Sequence, residues 1–189
     1  MAYLIVGPSS SGKSTYIKEL IAKKKVNKNN LIFGIQLKKK FLDNFKFWKK
    51  KVKIKKNSVL HFNIFQTFFY DKDTCSYNLF EIDKIFKRLL KDIYIFNKVI
   101  ILFTPIEELM LRVKNRLHVE HGDNLTYEKK SFIKIYNKTN FYHIYNIFFK
   151  IMDKNSIKYK ILFSSKKKFV FCDKNKVISN LKNYYKYKK

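Results

Sequence analysis

Nine residues near the start of the chain, Gly7-Pro8-Ser9-Ser10-Ser11-Gly12-Lys13-Ser14-Thr15, have the types and the spacing to hold phosphate groups. Glycine at the first and sixth positions lets the backbone take turns that a side chain would forbid, so that successive amides can face phosphate oxygens at the positive end of a following helix. Lys13 adds a point charge for the outer phosphates. The Ser14 hydroxyl is in the position that holds a magnesium ion bridging them. The chemistry this predicts is binding of ATP or another nucleoside triphosphate together with Mg2+.

Three further groups of residues could take part in chemistry. Arg112 and Arg116 lie four residues apart, on one face of any helix that contains them, and are two of only three arginines in the chain. Phosphoryl transfer needs positive groups aimed at the charge that spreads over the moving phosphate. The plainer alternative is a Glu108 to Arg112 pair that supports the helix, with Arg116 facing solvent. His61 and Asn63 share one side of an alternating run, Ser58 to Ile64, where the histidine could be an acid-base group, an acceptor ligand or a hydrogen-bonded structural side chain. His118 and His121 flank Glu120, but without a third spaced ligand they read as loop residues and not as a metal site.

The elements that must position these groups follow from hydrophobic period. Ala2-Tyr3-Leu4-Ile5-Val6 is a buried strand leading into the loop, and Ile17, Leu20 and Ile21 behind it recur at helical spacing. Further strands are predicted at Leu31-Ile32-Phe33-Gly34-Ile35, at 58–64, at Lys98-Val99-Ile100-Ile101-Leu102-Phe103 and at Tyr159-Lys160-Ile161-Leu162-Phe163, with Phe169-Val170-Phe171 as a short edge strand. Thr104-Pro105-Ile106-Glu107 combines an N-cap, a proline at the first helical position and a capping-box glutamate, so a helix is predicted to start there and run to about residue 117. Helices are also predicted over 36–57, 79–95, 128–152 and from Val177 onward. Strands alternating with helices of this length imply a parallel sheet covered on both faces, with the site at its carboxyl edge.

Composition removes several classes of function. The chain has 189 residues, 46% of them hydrophobic, which suits one domain (1–185) ahead of a lysine-rich tail (186–189). Cys75 and Cys172 are too few and too far apart for a disulfide framework, no run is long enough to span a membrane, and the start is not a signal peptide, so the expected location is cytoplasmic. The net charge of +28 raises nucleic acid as a partner, but 39 of the 42 basic residues are lysine, beside abundant Asn, Ile, Phe and Tyr. That is the pattern of a coding sequence rich in A and T, whereas a nucleic-acid grip favours arginine. Nucleic acid is therefore the less favoured partner.

The strand and helix from Ile100 to Arg116, with Leu109, Arg112 and Arg116, resemble the lid region of small P-loop kinases such as gluconate kinase, adenylylsulfate kinase and the nucleoside monophosphate kinases. This resemblance implies an α/β P-loop NTPase fold with a five-stranded, mainly parallel sheet of order 2-3-1-4-5. It carries onto Arg112 and Arg116 the role of closing over the phosphates. The phosphate loop is similar to that of guanylate kinase, although nothing corresponds to that enzyme's Arg- and Tyr-rich guanine-monophosphate segment. His61-Phe62-Asn63 resembles the His-aromatic-Asn strand of P-loop proteins associated with polysaccharide gene clusters, which also carry Arg-x-x-x-Arg followed by an acidic residue, here Glu120. One departure stands out. Most such kinases end a strand with an Asp, and here Asn63 stands at the equivalent place, an amide that cannot act as a base. Asp71 or Asp73 is left to supply a carboxylate from the next loop.

The expected function is therefore transfer of the γ-phosphate to a small acceptor, a sugar, nucleotide or glycan precursor, seated between the third strand and segment 36–57 near His61 and Asn63. A non-catalytic nucleotide-binding module and a polynucleotide kinase that uses the basic surface are the alternatives.

Overall fold

Two of the apolar runs, Tyr3–Val6 (β1) and Lys98–Phe103 (β4), become neighbouring strands whose carboxyl ends open onto the same edge of a sheet. The structure, a computed structural model, describes residues 2–33, 59–61, 98–118, 124–165 and 168–187. The remaining described strands are Leu31–Phe33 (β2), Val59–His61 (β3), Tyr159–Ser165 (β5) and Lys168–Cys172 (β6). Helices, numbered in chain order through the described residues, are Lys13–Ala22 (α1), Ile106–Lys114 (α2), Leu125–Lys138 (α3), Phe141–Lys154 (α4) and Lys174–Tyr187 (α5). The strands form one sheet in the order β2-β3-β1-β4-β5-β6, parallel except for β6, which turns back antiparallel on β5. The architecture is mixed α/β, as the alternation of apolar runs predicts, and β6, at the short edge strand read from Phe169-Val170-Phe171, makes a sixth strand beyond the five that the resemblance implies.

Alternation along β1 and β4 divides the core between the two faces. Leu4 and Val6 join Val99, Ile101 and Phe103 under α2, α3, α4 and α5, whereas Tyr3 and Ile5 join Ile100 and Leu102 against Ile17 and Leu20 of α1. The first face is rich in aromatic side chains, for which an edge-to-face pair such as Phe103 and Tyr145, 5.6 Å between centroids, adds to the burial term. Because both faces are covered, β1 and β4 are apolar apart from Lys98 at the start of β4, as expected for inner strands of a parallel sheet.

Three expectations change. The helix predicted over 128–152 is two helices, interrupted where Thr139 takes an extended conformation and the Asn140 side chain accepts from His143 N at 3.0 Å to start α4. Thr104 does not cap α2: Pro105 occupies the N-cap position and no side chain bonds the first turn. The helix predicted to run to about residue 117 ends at Lys114, which leaves Arg116 beyond it. The helices expected over 36–57 and 79–95 lie outside the described residues.

Candidate phosphate-binding site

Loop 7–12 leaves β1 and delivers the chain to α1 under tight steric limits. A methyl group at Gly7 would stand 2.6 Å from Ser11 Oγ and 3.0 Å from Leu102 O of β4, so any side chain there would displace Ser11 and crowd the backbone of β4. Gly12 has φ 92°, the left-handed region that favours glycine, and a methyl group on it would meet Ser164 Oγ at 2.8 Å. Ser10 is also left-handed, at φ 62°, and Ser11 N closes the turn onto Pro8 O at 3.2 Å. The loop is therefore a tightly specified cradle.

The end of α1 is built for an anion. Its first intrahelical bond runs from Tyr16 N to Gly12 O at 2.9 Å, no side chain caps it, and its first turn holds no acidic residue. By contrast α3 and α4 are each closed by an asparagine, Asn124 accepting from Tyr127 N and Asn140 from His143 N. An uncapped helix start carries outward-facing amides and the positive end of the helix dipole. Ser11 Oγ, buried in the loop, has no hydrogen-bond partner among the described residues. These features fit a phosphate. Ser14 and Thr15 are exposed at the first turn, so the Ser14 hydroxyl is free of the core and fits the magnesium position.

Lys13 lies differently from a side chain extended toward solvent. It is buried, and its ammonium folds back across the loop to donate to Gly7 O at 2.8 Å and Pro8 O at 2.7 Å. The positive charge is thereby held against the loop's first turn.

The outer side of the loop is held by four side chains from beyond β1. Arg112 Nη1 donates to Ser10 O at 3.3 Å and to Ser164 Oγ at 3.1 Å, while its Nη2 donates to Ser164 O at 2.9 Å and Glu108 Oε1 at 2.7 Å. Arg116 Nη2 donates to Ser9 Oγ at 3.0 Å, its Nη1 to Glu128 Oε1 at 2.8 Å, and the Phe132 ring lies 4.9 Å from the guanidinium carbon. The Tyr136 hydroxyl donates to Ser9 O at 2.8 Å, and Thr104 Oγ1 to Ser11 O at 3.4 Å. Beneath them the Tyr145 hydroxyl donates to Leu102 O at 3.1 Å, and burial pushes this phenol above its ordinary range. On the α1 side, Tyr16 meets Phe169 of β6 edge-on at 5.0 Å, and burial, with smaller contributions from Tyr3 and Glu19, raises its phenol too.

The structure thus gathers loop 7–12, Lys13, Arg112 and Arg116 into one cluster. His61 brings its backbone into β3, paired with Ile5 on one side and Phe33 on the other. Asn63, Asp71, Asp73, Glu120 and His121 lie outside the described residues, and His118 is exposed. Among the described residues no group of three His, Cys, Asp or Glu side chains could hold a metal ion. No described helix is long and apolar enough to cross a membrane. Sequence reasoning missed Thr104 and Tyr136 as partners of the loop, and Glu128 and Ser164 as partners of the arginines that hold it. A signal for two of them existed: Glu128, Phe132 and Tyr136 recur at helical spacing, placing a carboxylate and a phenol on a stripe expected to be apolar.

No protein-family model matches the chain, and no curated protein matches it. Two solved structures of deoxyadenosine kinase from M. mycoides align with it, one with bound dATP and one with bound dCTP. The first alignment covers 98% of this chain and 100% of the other at 13% identity, with a TM-score of 0.44. The second covers 99% and 100% at 15% identity, with a TM-score of 0.37. Likeness at that level identifies neither a family nor a ligand.

Proposed function

We propose that the chain is a P-loop kinase-like domain, spanning residues 1–185, that binds ATP or another nucleoside triphosphate with magnesium and transfers the γ-phosphate to a small acceptor. The observation that carries this reading is the uncapped start of α1 behind a left-handed Gly12, with the Lys13 ammonium folded into the same loop. Backbone amides at that helix start would receive the β- and γ-phosphates, and Lys13 would exchange loop carbonyls for phosphate oxygens, which are stronger partners for an ammonium. Magnesium held by Ser14 would neutralise charge between the β- and γ-phosphates.

The two arginines divide in this reading. Arg112 lies at the loop rim with 23% of its side chain exposed and is the candidate for stabilising charge on the phosphoryl group in flight. Arg116, enclosed with Glu128, holds Ser9 and acts through it. His61 and Asn63 are proposed on the acceptor side, since β3 is the neighbour of β1 at the edge where the loop leaves. A binding module without transfer is the second reading. It is favoured by one observation: among the described residues, no Asp or Glu stands at the carboxyl end of a strand beside the loop to act as base.

Thermal melts of wild type and Lys13→Ala with and without Mg-ATP test the binding step. Ligand at about a hundred times Kd stabilises a binding protein by roughly 2.7 kcal/mol, so wild type is expected to shift and Lys13→Ala not to. Equal shifts in the two proteins would sink the assignment of the loop. Nucleotide consumption across sugars, nucleosides and nucleotides then separates kinase from module.

A further inference from the structure

Helix α3 spends its buried face in an unusual way. Glu128, Phe132 and Tyr136 lie one turn apart in succession, each buried, and the two outer members are polar. Burying a carboxylate and a phenol costs free energy unless each finds a partner, and a helix that only covers a core needs neither. Here both lead to the same residue. The Tyr136 hydroxyl donates to Ser9 O at 2.8 Å, and Glu128 holds the Arg116 guanidinium whose other nitrogen donates to Ser9 Oγ at 3.0 Å. Phe132, between them on the stripe, lies against the guanidinium and 5.9 Å from the Tyr136 ring. The backbone oxygen of a single loop residue is thus held directly, and its side-chain oxygen through Arg116, by one helix more than a hundred positions away in sequence.

We propose that α3 is the positioning element of the phosphate loop, with Glu128 and Tyr136 as positioning residues that set triphosphate affinity through Ser9 without touching the ligand. This rests on the reading that loop 7–12 binds phosphate. The physical basis is preorganisation. Ser10 follows Ser9 in a left-handed conformation that a serine adopts only when its surroundings hold it there. If the loop leaves that conformation for a fraction of the time, apparent affinity falls by the same fraction. Anchoring Ser9 at both oxygens keeps the competent form populated.

Two measurements on the 189-residue chain test this, both well below the melting temperature of each variant. The first is calorimetric binding of Mg-ATP to wild type, Tyr136→Phe, Glu128→Gln and the control Tyr185→Phe. The control removes a hydroxyl that accepts from Phe141 N and donates to Thr139 O at the α3–α4 junction, away from the loop. Loss of one buried hydrogen bond is expected to raise Kd about fivefold in Tyr136→Phe, and Glu128→Gln is expected to raise it further, while Tyr185→Phe lowers the melting temperature and leaves Kd unchanged. The second measurement is amide hydrogen exchange on the proteins without nucleotide, where residues 9–12 are expected to exchange faster in Tyr136→Phe than in wild type. Wild-type affinity in Tyr136→Phe, or unaltered exchange over residues 9–12, overturns the role of α3 while leaving the nucleotide reading intact. If wild type binds no Mg-ATP, the nucleotide reading falls, and the exchange result alone decides whether α3 positions the loop.

Discussion

Arg112, in the last turn of α2, and Arg116, two residues past its end, are each paired with a glutamate at 2.7–2.8 Å and each donate to loop 7–12, yet they stand in different surroundings. The Arg112 pair is at the rim, with side chains 23% and 25% exposed. The Arg116 pair is enclosed, at 5% and 3%. Water screens the first, and the guanidinium bridges Ser10 on one loop and Ser164 on the end of β5. In the second, each charge depends on the other, because removing one partner leaves the remaining charge buried and unpaired. The same residue type therefore serves two ends. At the rim a positive charge can still respond to a ligand, whereas in the interior it is part of the frame.

Breaking the enclosed pair should have the largest effect. Arg116→Ala is expected to cost roughly 3–5 kcal/mol of stability, the range for stranding a buried partner, and urea unfolding with unchanged slope would measure it. Replacing Arg116 and Glu128 together by Met and Leu should recover much of that loss, since the apolar pair strands no charge. If Arg116→Ala costs no more than Arg112→Ala, the contrast between rim and interior is wrong. Arg112→Ala should cost only about 1 kcal/mol, in keeping with a partly screened pair and hydrogen bonds that water can replace. Its effect belongs to turnover. A preorganised donor aimed at the phosphoryl group is worth roughly a hundredfold or more, so single-turnover transfer should fall by that much with ATP affinity nearly kept, and Arg112→Lys should restore only part. Transfer at the wild-type rate in Arg112→Ala would remove it from the chemistry.

How far these roles could be read in advance depends on the distance over which each signal acts. The loop was legible because its glycines, lysine and serine sit at fixed local spacing, and the strands were legible because inner strands of a parallel sheet are continuously apolar. Arg112 and Arg116 can be picked out as a pair, but their surroundings cannot: the sequence leaves a solvent-facing Arg116 open as an alternative, and what encloses it is Glu128, which in sequence looks like an ordinary acidic residue in the first turn of a helix. The break between α3 and α4 was hidden because apolar residues recur across it, and only the Asn140 cap with the extended Thr139 marks it. His61 and Asn63 rest on strand alternation and resemblance.

The smallest effect tests the remaining anchor, Thr104. By local pattern this residue is the N-cap of α2, and by geometry its hydroxyl turns away to donate to Ser11 O at 3.4 Å, a long and weak bond in a buried setting. The two roles predict different responses to two substitutions. Thr104→Val keeps the shape and removes the hydroxyl, and at this distance its loss should cost about 0.5 kcal/mol, at the low end for a hydrogen bond. Thr104→Asp separates the roles by sign. Were residue 104 the cap, aspartate would be among the better replacements and would favour the helix dipole as well, leaving stability level or higher. With the side chain facing Ser11 O, the same change sets a buried carboxylate against a carbonyl oxygen, and burial of an unpaired charge makes it clearly worse than Thr104→Val. A denaturation series on the two variants reads the order directly: Thr104→Asp more stable than Thr104→Val would return Thr104 to the helix and leave the loop with three anchors.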